Sequence, residues 1–121
     1  MIKVKGIGGV FFKCVDGESL KHWYKKHLGF DTDEYGAIFT AKTMPENAQT
    51  VWSPFKADTK YFEPSDQQFM LNLIVEDVPQ ALKQVQAGGA QLVGDVLDED
   101  YGVFGWFIDP QGFKVELWSP K

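Results

Sequence analysis

The stretch Asp109-Pro110-Gln111-Gly112-Phe113-Lys114-Val115-Glu116-Leu117-Trp118 decides how the rest of the chain is read. Its first four residues form a turn, with proline at a favoured position and glycine at the last. The residues after the turn alternate. Val115 and Leu117 belong to one face of a strand, while Lys114, Glu116 and Trp118 belong to the other. Working backward, 104–108 reads as a strand, Asp98-Glu99-Asp100 as an acidic loop and 91–96 as a strand. Gly88-Gly89 stops a helix whose apolar positions are Val78, Ala81, Leu82 and Val85. Glu76-Asp77 caps that helix, and Pro79 is tolerated in its first turn. Before it, FMLNLIV at 69–75 reads as another strand.

The same order of elements occurs upstream. The Val- and Phe-rich run 8–15 reads as a strand, and Asp16 or Ser19 caps the following helix. Leu20, Trp23, Tyr24 and Leu28 recur at helical spacing, and Gly29 stands where a left-handed stop belongs. From Phe30 the chain is strand-like, interrupted at Tyr35-Gly36 and resumed at 37–40. A loop over 44–49 leads into a strand at 50–55, stopped by Pro54, and the polar stretch 57–66 reads as a linker. Trp52-Ser53-Pro54 returns as Trp118-Ser119-Pro120 at the end of the last strand of each half. Falling at equivalent places in two separately read patterns, this echo points to duplication. The expected organisation is a single α+β domain of two modules, about 5–56 and 67–120, each running strand, helix, three strands.

Composition narrows the function classes. At 121 residues the chain suits one domain, and its 44% apolar share is ordinary. Aromatic residues reach 15%, a supply of flat apolar surface suited to a concave ligand site. The net charge of −5, with no basic run beyond Lys25-Lys26, argues against nucleic-acid partners. The single Cys14 cannot form an internal disulfide, and no apolar run approaches the roughly 20 residues that cross a bilayer. Met1 to Val10 shows no signal-peptide pattern, so a cytoplasmic location with no membrane partner is expected.

The opening strand with Asp16, the helix end Trp23-Tyr24-Lys25-Lys26-His27-Leu28-Gly29-Phe30, the helix entry Val75-Glu76-Asp77-Val78 and the closing 109–118 stretch together resemble the vicinal oxygen chelate superfamily. That superfamily holds glyoxalases, extradiol dioxygenases and the fosfomycin- and bleomycin-resistance proteins, and the resemblance covers nearly the whole chain. It implies two βαβββ modules forming an open, U-shaped half-barrel with the helices outside. Alternation within that frame turns inward Gly9, Phe11 and Lys13; Thr50 and Trp52; Met70, Asn72 and Ile74; and Lys114, Glu116 and Trp118.

Family metalloenzymes take ligands from the first and last strand of each module, which carries over to Gly9, Thr50, Met70 and Glu116. A glycine, a neutral hydroxyl and a thioether make poor partners for a hard divalent ion, so Glu116 stands alone and no metal or other cofactor is expected. His22 and His27 lie in the first helix on different faces, outside the barrel, and Cys14 faces the helix side. Glu116 is therefore the candidate catalytic carboxylate, as an acid or base, or else a salt-bridged relic with Lys13 or Lys114 beside it. Phe11, Lys13, Trp52, Asn72 and Trp118 are the candidate ligand-binding residues. The leading expectation is a metal-independent small-molecule binder resembling the bleomycin-resistance branch, with an aromatic or planar ligand. Against it stands a glyoxalase-like lyase or isomerase, or a dioxygenase, using Glu116 with a non-standard metal or none. A structural or regulatory interaction domain is a third reading. Exposed sheet edges and the family habit of covering them imply a homodimer.

Overall fold

The computed structural model describes residues 1–121. Two helices form where local chemistry demands them. In α1 (Gly17–Leu28) the Asp16 carboxylate accepts from the Ser19 amide at 3.0 Å, and Gly29 ends the helix at φ 68°. Glu18 lies in the first turn and Lys25, Lys26 and His27 in the last, the arrangement the helix dipole favours. In α2 (Val78–Ala87) Asp77 accepts from the Gln80 amide at 3.0 Å and Pro79 occupies the first turn. The expected stripes are buried at Leu20, Trp23 and Tyr24 on α1, with Leu28 half-buried against the core, and at Val78, Ala81, Leu82 and Val85 on α2.

The second half makes one five-stranded sheet. Its order is β3 (Leu71–Ile74), β7 (Lys114–Pro120), β6 (Gly102–Ile108) and β4 (Gln91–Leu92), with β5 (Leu97–Glu99) also paired to β6. The β3–β7 pair is parallel and the β6–β7 pair antiparallel, with Trp106 opposite Glu116 and Phe104 opposite Trp118. Alternation sorts the two faces as expected. Phe107, Val115 and Leu117 are fully buried in one core with the α1 and α2 stripes. Gly105 lets α2 approach β6, since a Cβ there would stand 2.7 Å from Leu82 Cδ1 and 2.9 Å from Val78 Cγ1. Although α1 belongs to the first half, it docks on the second. Trp23 Nε1 donates to the Gly88 carbonyl at 2.9 Å, and the Tyr24 hydroxyl donates to Asp109 Oδ2 at 2.9 Å.

The first half departs from expectation. After α1 it holds only the small hairpin β1 (Thr32–Asp33) and β2 (Gly36–Ala37), followed by a 3-10 turn over Ala41–Thr43. The runs 8–15 and 50–55, read as strands, have no strand partner, and neither does 38–40. A strand is completed by a neighbour that takes its backbone hydrogen bonds and covers its side chains. Here Phe11 is 96% exposed and Trp52 78% exposed, and the outer edge of β3 has no pairing. The acidic loop at 98–100 is corrected as well, because Leu97–Glu99 pairs with Gly102–Phe104. The strand at 91–96 shortens to Gln91–Leu92. What the chain shows is a mixed α+β fold with two helices on one face of an open sheet.

Candidate functional site

On the sheet face away from the helices, β7 presents Glu116 between Asn72 of β3 and Trp106 of β6, its cross-strand neighbours. Three donors converge on its carboxylate. Asn72 Nδ2 donates to Oε1 at 2.7 Å; Trp106 Nε1 at 2.9 Å and the Tyr61 hydroxyl at 2.6 Å both donate to Oε2. Short, charge-assisted bonds of this kind hold a carboxylate in a single orientation.

Tyr61 comes from the 57–66 segment, the stretch read as a linker, which packs against the sheet beside Glu116. Lys114 Nζ donates to the Tyr61 carbonyl at 2.5 Å, and Ser65 Oγ donates to the Gly112 carbonyl at 2.8 Å. The same ammonium lies 5.1 Å from the centre of the Tyr61 ring and 6.0 Å from that of Trp106. The two rings meet edge to face, with centroids 6.3 Å apart. Lys114, expected on the same face as Glu116, is only 7% exposed. Burial lowers its amine pKa, and Glu116 and then Glu63 oppose that shift. Burial, reinforced by the hydrogen bond to Glu116, raises the Tyr61 phenol pKa, so Tyr61 stays a proton donor through the physiological range.

Asn72 and Glu116 are thus brought together. Trp118 shares their face, stacked on Phe104 at 6.1 Å with an interplanar angle of 6°, and its Nε1 donates to the Tyr101 carbonyl at 3.3 Å. Phe11 and Trp52 project into solvent. Lys13 lines a separate depression of about 340 Å³ with Cys14, Val15, Gln67, Gln111 and Phe113. A second depression of about 520 Å³, at Ala41–Thr43 and the loop up to Thr50, carries no member of the Glu116 cluster. Trp106 was readable: in GVFGWFI, alternation puts it with Phe104 on the face opposite Phe107. Tyr61 had no local signal, since its partner Glu116 lies 55 residues away.

The divalent ion used by the superfamily's metalloenzymes does not fit these residues. No three His, Cys, Asp or Glu side chains converge anywhere in the structure. Both Glu116 oxygens already accept from side-chain donors, and an ammonium lies close by. His27 packs against Trp23, with ring centroids 5.2 Å apart, at the end of α1. No helix is long and apolar enough to cross a membrane.

Known structures share this architecture. An integron cassette protein from V. cholerae has 15% identity and a TM-score of 0.64, with 98% of each chain covered. An antibiotic-binding protein from a Streptomyces species has 22% identity and a TM-score of 0.53, with 89% of each chain covered. A member of the glyoxalase/bleomycin resistance protein/dioxygenase superfamily from Sphaerobacter thermophilus has 21% identity and a TM-score of 0.51, covering 86% of this chain and 88% of that one. The sequence has no significant match among curated proteins. A family profile described as a glyoxalase-like domain matches residues 9–118. With that match spanning almost the whole chain, the protein belongs to the glyoxalase-like domain family of the vicinal oxygen chelate superfamily.

Proposed function

We propose that this protein binds a small aromatic or planar molecule on the Glu116 face of its sheet, without a metal, as bleomycin-resistance-type binders do. The observation that carries the reading is the Glu116 carboxylate itself, aimed away from the core and held by Asn72, Trp106 and Tyr61 within an aromatic frame. A carboxylate oriented by fixed donors is a ready acceptor for a ligand's hydrogen-bond donor. Trp106, Phe104 and Trp118 supply flat apolar surface beside it. The Streptomyces relative, described as antibiotic-binding, supports the same class of role on the same fold.

In this proposal the two βαβββ modules and the U-shaped half-barrel are completed when 8–15 and 50–55 pair as strands. Phe11, Lys13 and Trp52 then close over the sheet as further walls. A second copy of the chain supplies the pairing. The exposed Val10, Phe11, Val51, Trp52 and Phe55, together with the open β3 edge, support a homodimer. The free Cys14 supports a reducing, cytoplasmic setting.

The test is a thermal-shift screen of planar aromatic compounds, with tryptophan fluorescence as the second signal. True ligands raise the melting temperature and perturb the emission of Trp106 and Trp118, and Glu116→Gln and Asn72→Ala weaken both effects. Hits that bind Glu116→Gln as well as the native protein would place the site elsewhere and end this reading.

A further inference from the structure

The phenol of Tyr61 occupies the acceptor that a ligand would need. Its hydroxyl sits 2.6 Å from Glu116 Oε2, its ring meets Trp106 edge to face, and the Lys114 ammonium lies 5.1 Å from its centroid. These contacts are the complete recognition set for a phenol: an anionic acceptor for the hydroxyl, an aromatic edge, and a cation at the ring face. The residue providing the phenol belongs to no strand. The amides of Thr59, Glu63 and Ser65 bond to the carbonyls of Lys56, Lys60 and Phe62. The segment is anchored against the sheet through two side-chain hydrogen bonds, Lys114 on the Tyr61 carbonyl and Ser65 on the Gly112 carbonyl, neither of which holds the Tyr61 ring. Tyr61 itself is 40% exposed, so its ring can leave without unpacking the core.

We infer that Tyr61 is an internal stand-in for the ligand, and that the Glu116 face takes phenolic compounds, planar rings bearing a hydroxyl, in competition with it. The inference rests on the proposed ligand site at Glu116 and names its ligand class. The surrounding charges exclude the alternatives. A carboxylate or phosphate ligand meets Glu116 head-on. A cationic ring meets Lys114. An aliphatic alcohol satisfies Glu116 but leaves the ammonium and the Trp106 edge without a ring. A neutral phenol answers all three groups. Tyr61 then sets the affinity threshold, because only a ligand whose contacts outweigh those of the tethered phenol gains entry.

Binding of 4-nitrophenol in its neutral form, compared with 4-nitroanisole, which lacks the hydroxyl, tests this by calorimetry. The proteins are the full native chain, Tyr61→Phe, Tyr61→Ala and Tyr61→Ala/Glu116→Gln. Removing a hydrogen bond to a charged acceptor frees the site, so Tyr61→Ala binds 4-nitrophenol at least about tenfold tighter than the native protein. Tyr61→Phe, which keeps the ring and its packing, gains in the same direction and serves if the alanine variant fails to fold. The Glu116→Gln change abolishes the gain, and 4-nitroanisole shows none. Equal 4-nitrophenol affinity across native and both Tyr61 variants overturns the stand-in role, as does an equal gain for 4-nitroanisole. In either case the Glu116 site itself survives if other planar ligands still respond to Glu116→Gln. Failure of every planar compound to bind any variant removes both.

Discussion

The Tyr24–Asp109 hydrogen bond ties α1 of the first half to the turn before β7, and Tyr24→Phe isolates its worth. Both residues are buried, and the phenol donates to Asp109 Oδ2 at 2.9 Å. Asp109 Oδ1 accepts separately from the amides of Gln111 and Phe113 at 2.9 and 3.1 Å, so the turn itself is kept in the variant. What is lost is the one side-chain donor to Oδ2, with the ring and its packing against Trp23 and Phe30 retained. A hydrogen bond to a charged group contributes about 1.5–3 kcal/mol, which predicts a loss of that size near pH 7 and a fall in Tm of roughly 5–10 °C. The pH dependence gives a second handle. Burial raises the Asp109 pKa, and the Tyr24 hydrogen bond is foremost among the contacts that oppose the rise. A carboxyl with a raised folded-state pKa favours the fold most in acid, and that advantage is lost as the pH rises through the folded value. Without the phenol the loss on ionisation is larger. The stability gap between native and variant therefore widens toward neutral pH and narrows once Asp109 is protonated, where a neutral hydrogen bond contributes only about 0.5–1.5 kcal/mol. Urea titrations of both proteins, followed by tryptophan fluorescence between pH 7 and the acid range, give the two curves. A gap below about 0.5 kcal/mol at pH 7, or one independent of pH, would refute this account of the pair.

Gly105→Ala drives a methyl group into Leu82 and Val78 and lowers stability by about 1–3 kcal/mol in the same titration, without changing the Glu116 face. Elemental analysis of the purified protein finds no stoichiometric Zn, Ni, Mn or Fe; one such ion per chain would mean that a donor set other than the one around Glu116 is assembled. Sedimentation at micromolar concentration gives a dimer, and charged replacements at Val10 and Val51 shift it toward monomer. A native monomer would remove the second copy as the partner for 8–15 and 50–55.

Much of the fold was legible because its signals are local. Asp16 and Asp77 cap helices through amides three residues away, Gly29 needs only its own φ, and the stripes of α1 and α2 reflect the helical repeat. The alternation in 114–118 assigned Val115 and Leu117 to the core and Glu116 to the open face, and β7 obeys it. Asn72 reached the site by the same logic, through a register that pairs it with Glu116. Tertiary structure alone decided the rest. The runs 8–15 and 50–55 have strand composition, but a strand exists only where a second edge accepts its hydrogen bonds, and composition does not supply that edge. Docking of α1 onto the second half depends on Trp23 and Tyr24 finding Gly88 and Asp109, 65 and 85 residues away. Tyr61 stands in a polar stretch whose own chemistry says only that it turns. Its place on Glu116 depends on where Lys114 and Gly112 hold that stretch against the sheet. Short-range chemistry therefore wrote the helices, the turn and the faces of the last strand. The donors that complete the carboxylate site came from the meeting of distant segments.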